Sequence, residues 1–163
     1  KILLSPDEIY VSDGAKSDIG NLFELIGNAP VVMQKPYYPP YLGNAVMRGM
    51  RCIFIHANAS NNYVMSPDEL KSHEPALIII CSPNNPIGGV LTKENLEGVA
   101  EIVADKDILI CSDEIYERLV YDGTKAVSPA SIPSLRDKTI IINGFSKAFS
   151  MTGWRVGYII TVF

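Results

Sequence analysis

The chain alternates short, solidly apolar runs with longer stretches in which apolar residues recur every three or four positions. The apolar runs predict strands near residues 8–12, 31–34, 52–56, 76–81, 108–112, 139–143 and 155–161. Two of them, Leu77-Ile78-Ile79-Ile80 and Ile140-Ile141-Ile142, show no polar alternation. Such runs mark strands covered on both faces, as in parallel sheets. Helices are predicted over 16–26, 41–50, 67–72 and 93–104. The last has Thr92 placed as an N-cap, Glu94 and Asn95 in its first turn, and Leu96, Val99, Ala100 and Val103 on one face. Strands and helices in alternation predict an α/β fold with a doubly wound, mostly parallel seven-stranded sheet and helices on both faces.

A chain of 163 residues is one domain's length, so a single domain over 1–163 is expected. A net charge of -4 argues against a basic nucleic-acid-binding face, and no apolar run is long enough to span a bilayer. Cys52, Cys81 and Cys111 are widely spaced and odd in number. That pattern indicates neither a zinc site nor a disulfide framework, so no metal is expected and a reducing, cytoplasmic setting fits. The chain opens on Lys1 and ends on the strand-like run Ile159-Ile160-Thr161-Val162-Phe163, as a piece cut from a longer protein would.

In doubly wound sheets ligands gather at the carboxyl ends of the strands, and those positions hold the chemistry here. They read Asp13-Gly14-Ala15-Lys16-Ser17, Lys35-Pro36-Tyr37-Tyr38, Ser82-Pro83-Asn84-Asn85-Pro86, Asp113-Glu114-Ile115-Tyr116 and Gly144-Phe145-Ser146-Lys147. There is no G-x-G-x-x-G, and Gly14-Ala15-Lys16-Ser17 lacks the Gly-Lys-Ser/Thr core of a phosphate-binding P-loop, so a plain dinucleotide or NTP module is disfavoured. Taken singly, Lys147 reads as a solvated surface lysine and Asp113 as a helix cap.

Together they resemble something more specific. Ser82-Pro83-Asn84-Asn85-Pro86-Ile87-Gly88, Ser112-Asp113-Glu114-Ile115-Tyr116 and the run from Phe145 to Gly157, with Lys147, Trp154 and Arg155, resemble the pyridoxal-phosphate-dependent aminotransferases of class I/II, fold type I. They occur in that family's order and approximate spacing, and the resemblance covers essentially the whole chain. It implies a three-layer large domain that binds pyridoxal 5'-phosphate, with an amino-terminal segment and a small carboxyl-terminal domain lying outside these residues. The run 13–22 looks most like LL-diaminopimelate aminotransferases, and 145–158 most like bacterial aspartate aminotransferases.

The resemblance also implies residue roles. Lys147 matches the lysine that holds the cofactor as a Schiff base and shuttles a proton. Asp113 matches the carboxylate facing the pyridine nitrogen, while Tyr116 and Asn85 match the groups bonded to the 3-oxygen. Gly14, Ala15 and Lys16, opening a helix, and Arg155 match the phosphate site. Tyr38, one of three tyrosines in 35–41, matches the aromatic that stacks on the ring. The pattern departs at Gly144, where the family often carries a phosphate-binding Ser or Thr, and at Ile87 and Lys35. The implied activity is amino-group transfer between an amino acid and a 2-oxo acid in a cytoplasmic homodimer, with a β-lyase or a non-catalytic cofactor-binding domain as alternatives.

Overall fold

The computed structural model describes residues 2–161. Val162 and Phe163, expected to continue the final strand, lie outside the described residues. In chain order the main elements are β1 (Ile9–Ser12), α1 (Ala15–Ile26), β2 (Val31–Lys35), α2 (Pro39–Met47), β3 (Cys52–His56), α3 (Pro67–Leu70), β4 (Leu77–Cys81), α4 (Lys93–Val103), β5 (Leu109–Asp113), α5 (Pro133–Arg136), β6 (Thr139–Gly144) and β7 (Gly157–Thr161). One seven-stranded sheet runs β1-β7-β6-β5-β4-β2-β3. Strands β2 to β6 pair in parallel, and β7 runs antiparallel to both β6 and β1. The expected mostly parallel sheet is therefore the one found.

The period of two in a strand divides the core between the sheet's faces. Leu77, Ile79, Cys81 and Cys111 point to one face, where they pack with Ile19, Leu22 and Phe23 of α1 and with Tyr41 and Ala45 of α2. Ile78, Ile80 and Ile110 point to the other face, against Leu96, Val99 and Val103 of α4 and Leu135 of α5. Every residue of β4 and β6 is buried, which is why neither sequence alternates. Each fully buried isoleucine in these strands contributes about 1.5–3 kcal/mol of transfer free energy.

Boundaries shift where local chemistry decides them. The second helix begins at Pro39 and Pro40 rather than at Tyr41, because prolines at the first helical positions lack N–H groups that would have no partner anyway. It stops by Arg48, and Gly49 follows with φ +69°. The stretch 67–72 makes only a single turn, and α5, opened by Pro133, has too little periodicity to be read from sequence. The fifth strand runs one residue further than expected, through Asp113, and so carries that carboxyl into the sheet.

Candidate active site

Because β1 and β2 to β6 point the same way, their carboxyl ends share one edge of the sheet, and the segment entering antiparallel β7 arrives there too. A cavity of about 440 Å3 opens at that edge. Of the nine residues assigned roles above, Ala15, Lys16, Tyr38, Asn85, Asp113, Tyr116, Lys147 and Arg155 line it. Gly14, the ninth, lies behind Arg155: a β-carbon there would strike the guanidinium Nη2.

Gly14 caps α1 with φ +120° and ψ 153°, a conformation open to glycine and costly for other residues. Its N–H donates to Ser12 Oγ at 3.3 Å, and Ser12 in turn donates to Asp18 Oδ2 at 2.6 Å, fixing the turn from β1 into α1. Gly157 permits the next approach, since a β-carbon there would sit 2.7 Å from Gly14 Cα and 3.0 Å from Ala15 N. Close packing of β7 on this turn thus sets the amino terminus of α1 at the cavity mouth. The first-turn N–H groups of a helix have no intrahelical acceptor and favour an anion. Arg155, held at φ 53° and ψ 56° with Nη1 donating to Thr152 O at 3.0 Å, stands beside them.

Gly144, where the family often carries Ser or Thr, has a local reason. A β-carbon on it would come within 2.9 Å of Val156 O and 3.0 Å of Gly157 Cα, the partner strand's backbone. Hydroxyls reach the cavity from Ser146 and Thr152 instead, two residues that sequence reasoning passed over.

The floor of the cavity is acidic. Asp113 ends β5 on the face of α1 and α2, 3% exposed, and its Oδ1 accepts the Ile115 N–H at 3.3 Å. Desolvation pushes its carboxyl above the usual range, opposed by its hydrogen bonds. Tyr116 is half-buried, with its phenol oxygen 3.4 Å from Asn85 Nδ2. Burial, followed by nearby Cys81 and Asp113, raises its ionisation above the ordinary value. Lys147 is exposed, and its Nζ lies 5.9 Å from the centre of the Tyr116 ring. Among the lining residues three cations, Lys16, Lys147 and Arg155, surround a single carboxylate.

This donor set fits pyridoxal 5'-phosphate: a helix terminus and an arginine for a dianion, a buried carboxylate for a ring nitrogen, a phenol and an amide in contact, and an amine at the rim. Tyr41, which the sequence reading passed over in favour of Tyr38, also lines the cavity. Its spacing of three from Tyr38, at the start of a helix, was the available signal.

Comparison with known proteins places this architecture. A family model described as aminotransferase class I and II matches residues 1–162, and the chain belongs to that family. Members of that family are generally dependent on pyridoxal phosphate. The chain is 40% identical over 159 residues to an aspartate aminotransferase of Bacillus subtilis (strain 168), covering 94% of this chain and 40% of that protein. It is 39% identical over 157 residues to aromatic-amino-acid aminotransferase 2 of Thermococcus litoralis, covering 93% and 40%. Among solved structures, the aspartate aminotransferase from Rhizobium meliloti superposes with a TM-score of 0.92 at 29% identity, covering 98% of this chain and 42% of the other. The chain thus spans about two-fifths of the length of these relatives. Among the described residues no helix is long and apolar enough to cross a membrane.

Proposed function

We propose that the chain is the cofactor-binding large domain of an aminotransferase that moves an amino group between an amino acid and a 2-oxo acid. Aspartate is the preferred donor in this reading, in line with the aspartate aminotransferases among its relatives. Pyridoxal 5'-phosphate, when bound, supplies the electron sink that makes the substrate's Cα–H bond acidic. Lys147 is the amine that anchors the cofactor and then moves a proton at Cα. Asp113 holds a proton on the ring nitrogen, Tyr116 and Asn85 donate to the 3-oxygen, and Tyr38 covers the ring face. The amides of Ala15 and Lys16, presented by the turn that Gly14 permits, and the Arg155 guanidinium bind the phosphate.

What carries the reading is one arrangement: a buried carboxylate, an exposed lysine and a helix amino terminus with its arginine, brought to one cavity from four separate strand ends. No common structural need gathers these groups there. Exposed Val11, Leu25, Met47 and Trp154 support assembly with a second copy and with the rest of the protein, and the reading places that homodimer in the cytoplasm.

The test is to load the complete protein with pyridoxal 5'-phosphate, reduce it with borohydride and map the modified peptide by mass. Attachment at Lys147, with amino transfer from aspartate to a 2-oxo acid, is the expected result. Attachment at another lysine, or none, rejects the assignment.

A further inference from the structure

We propose that Tyr41 is a positioning residue for this reaction: its phenol holds the Asp113 carboxylate oriented and ionised beneath the ring nitrogen of a bound cofactor. The inference rests on the function proposed above.

The Tyr41 O–H donates to Asp113 Oδ2 at 2.6 Å across 72 residues of sequence, a length typical of a bond to a charged acceptor. Tyr41 is 2% exposed and Asp113 3%, so water does not compete for either partner. With Tyr41 on Oδ2 and the Ile115 N–H on Oδ1, both oxygens are engaged by donors and the carboxyl plane is fixed.

The surroundings explain why such a donor is needed. Cys81 at the end of β4, Cys111 two residues back on β5, and Tyr116 beyond the strand lie near Asp113; burial first and the Asp113 charge after it raise their ionisation, so they stand beside the carboxylate as neutral groups. Glu114, on the opposite face of the sheet, is pushed up to about 7, chiefly by burial, with the Asp113 charge a minor cause. Lys16, Lys147 and Arg155 share the cavity, but among the described residues no cation pairs directly with Asp113. Burial therefore favours the neutral acid, and the Tyr41 hydrogen bond opposes it. Burial and the Asp113 charge push the Tyr41 phenol itself well above its ordinary value, so it remains a donor across the working range. Its place is set by Pro39 and Pro40 at the start of α2 and by an edge-on contact with Tyr38, 5.5 Å between ring centres at 83°. Tyr41 thereby ties the carboxylate to the aromatic assigned to the ring face.

The experiment compares wild type and Tyr41→Phe in the complete protein, because phenylalanine keeps the packing and removes only the donor. Without cofactor, 13C-labelled aspartate reports the Asp113 carboxyl, assigned by Asp113→Asn. Its titration midpoint is expected to rise by roughly one to two pH units in Tyr41→Phe, the loss of one hydrogen bond to a charged group. With 15N-labelled pyridoxal phosphate bound, the ring-nitrogen signal is expected to move toward the unprotonated position, as the proton shifts to the more basic Asp113. A 3-fluorotyrosine at position 41 keeps the fold and strengthens the donor, and it is expected to move both signals in the opposite direction. Unchanged Asp113 titration in both variants overturns the role of Tyr41 while leaving the proposed function standing. A wild type that binds no pyridoxal phosphate overturns the proposed function, and the role of Tyr41 toward the cofactor falls with it.

Discussion

Asp113 and Glu114 are adjacent in sequence, both buried, and end on opposite faces of the sheet. Asp113 points toward α1 and α2 into a cavity with three cations at its rim, and receives a phenol and a backbone amide. Glu114 points the other way, where Ser112 Oγ and Ser128 Oγ both donate to Oε1 at 2.9 and 2.6 Å. Desolvation raises both carboxyls, and Glu114 is pushed up to about 7. Burial makes a carboxyl unusual, but its neighbours decide its use. Glu114 also lines a cavity, of about 420 Å3, but Ser112 of its own strand and Ser128 of the loop that precedes α5 hold its Oε1, whereas Asp113 faces a cavity of about 440 Å3 that three cations line.

The sharpest way to break that contrast is Asp113→Asn. Steady-state turnover of the complete protein should fall about 10²–10⁴-fold, as for loss of a proton-holding group, while the isosteric amide preserves the fold. Turnover within a few-fold of wild type would remove Asp113 from the reaction. Next in size is Arg155→Ala, which takes away a charge-assisted contact to the phosphate. Cofactor affinity, read by equilibrium dialysis, should weaken by about 1.5–3 kcal/mol, roughly 10- to 150-fold. An unaltered affinity would mark Arg155 as an ordinary surface arginine.

The smallest effect on the site, and the one that isolates the other face, belongs to Glu114→Gln. A carboxyl whose folded value lies above its unfolded value binds more protons when folded, so stability falls as pH rises. The window runs from the ordinary 4.5 to about 7, and the loss across it is on the order of 3 kcal/mol. Denaturant unfolding of wild type at a series of pH values should show this decline, and Glu114→Gln should flatten it without altering cofactor affinity. A parallel pH dependence in the two proteins would mean that Glu114 does not titrate in this range.

Much of this was legible in advance for a physical reason. Continuous β-branched runs such as 77–80 can only be satisfied with cover on both sides, and the carboxyl ends of the strands in a parallel sheet are where ligand-binding polar groups gather. The positions of Asp113 and Lys147 follow from those two facts, and the order of the motifs around them points to the family. Tyr38 and Tyr41 could not be separated in the same way. Both are tyrosines in one proline-rich turn, and only the packing of α2 shows that both line the cavity, Tyr38 half-buried and Tyr41 fully buried against Asp113. The one-turn stretch at 67–70 and the short α5 escaped because four residues carry too little periodicity.

What the sequence determined by itself is local: where apolar residues repeat every second or every third and fourth position, where a proline or glycine stops an element, and which polar residues stand next in line. The tertiary structure alone decided which of those residues meet. Strand order places β7 between β1 and β6, so that Gly157 packs on Gly14 and Arg155 reaches the start of α1. It also sets the end of β5 under α2, so that a phenol and a carboxylate 72 residues apart share one hydrogen bond. Such pairings depend on long-range packing of whole elements, and no window along the chain contains both partners.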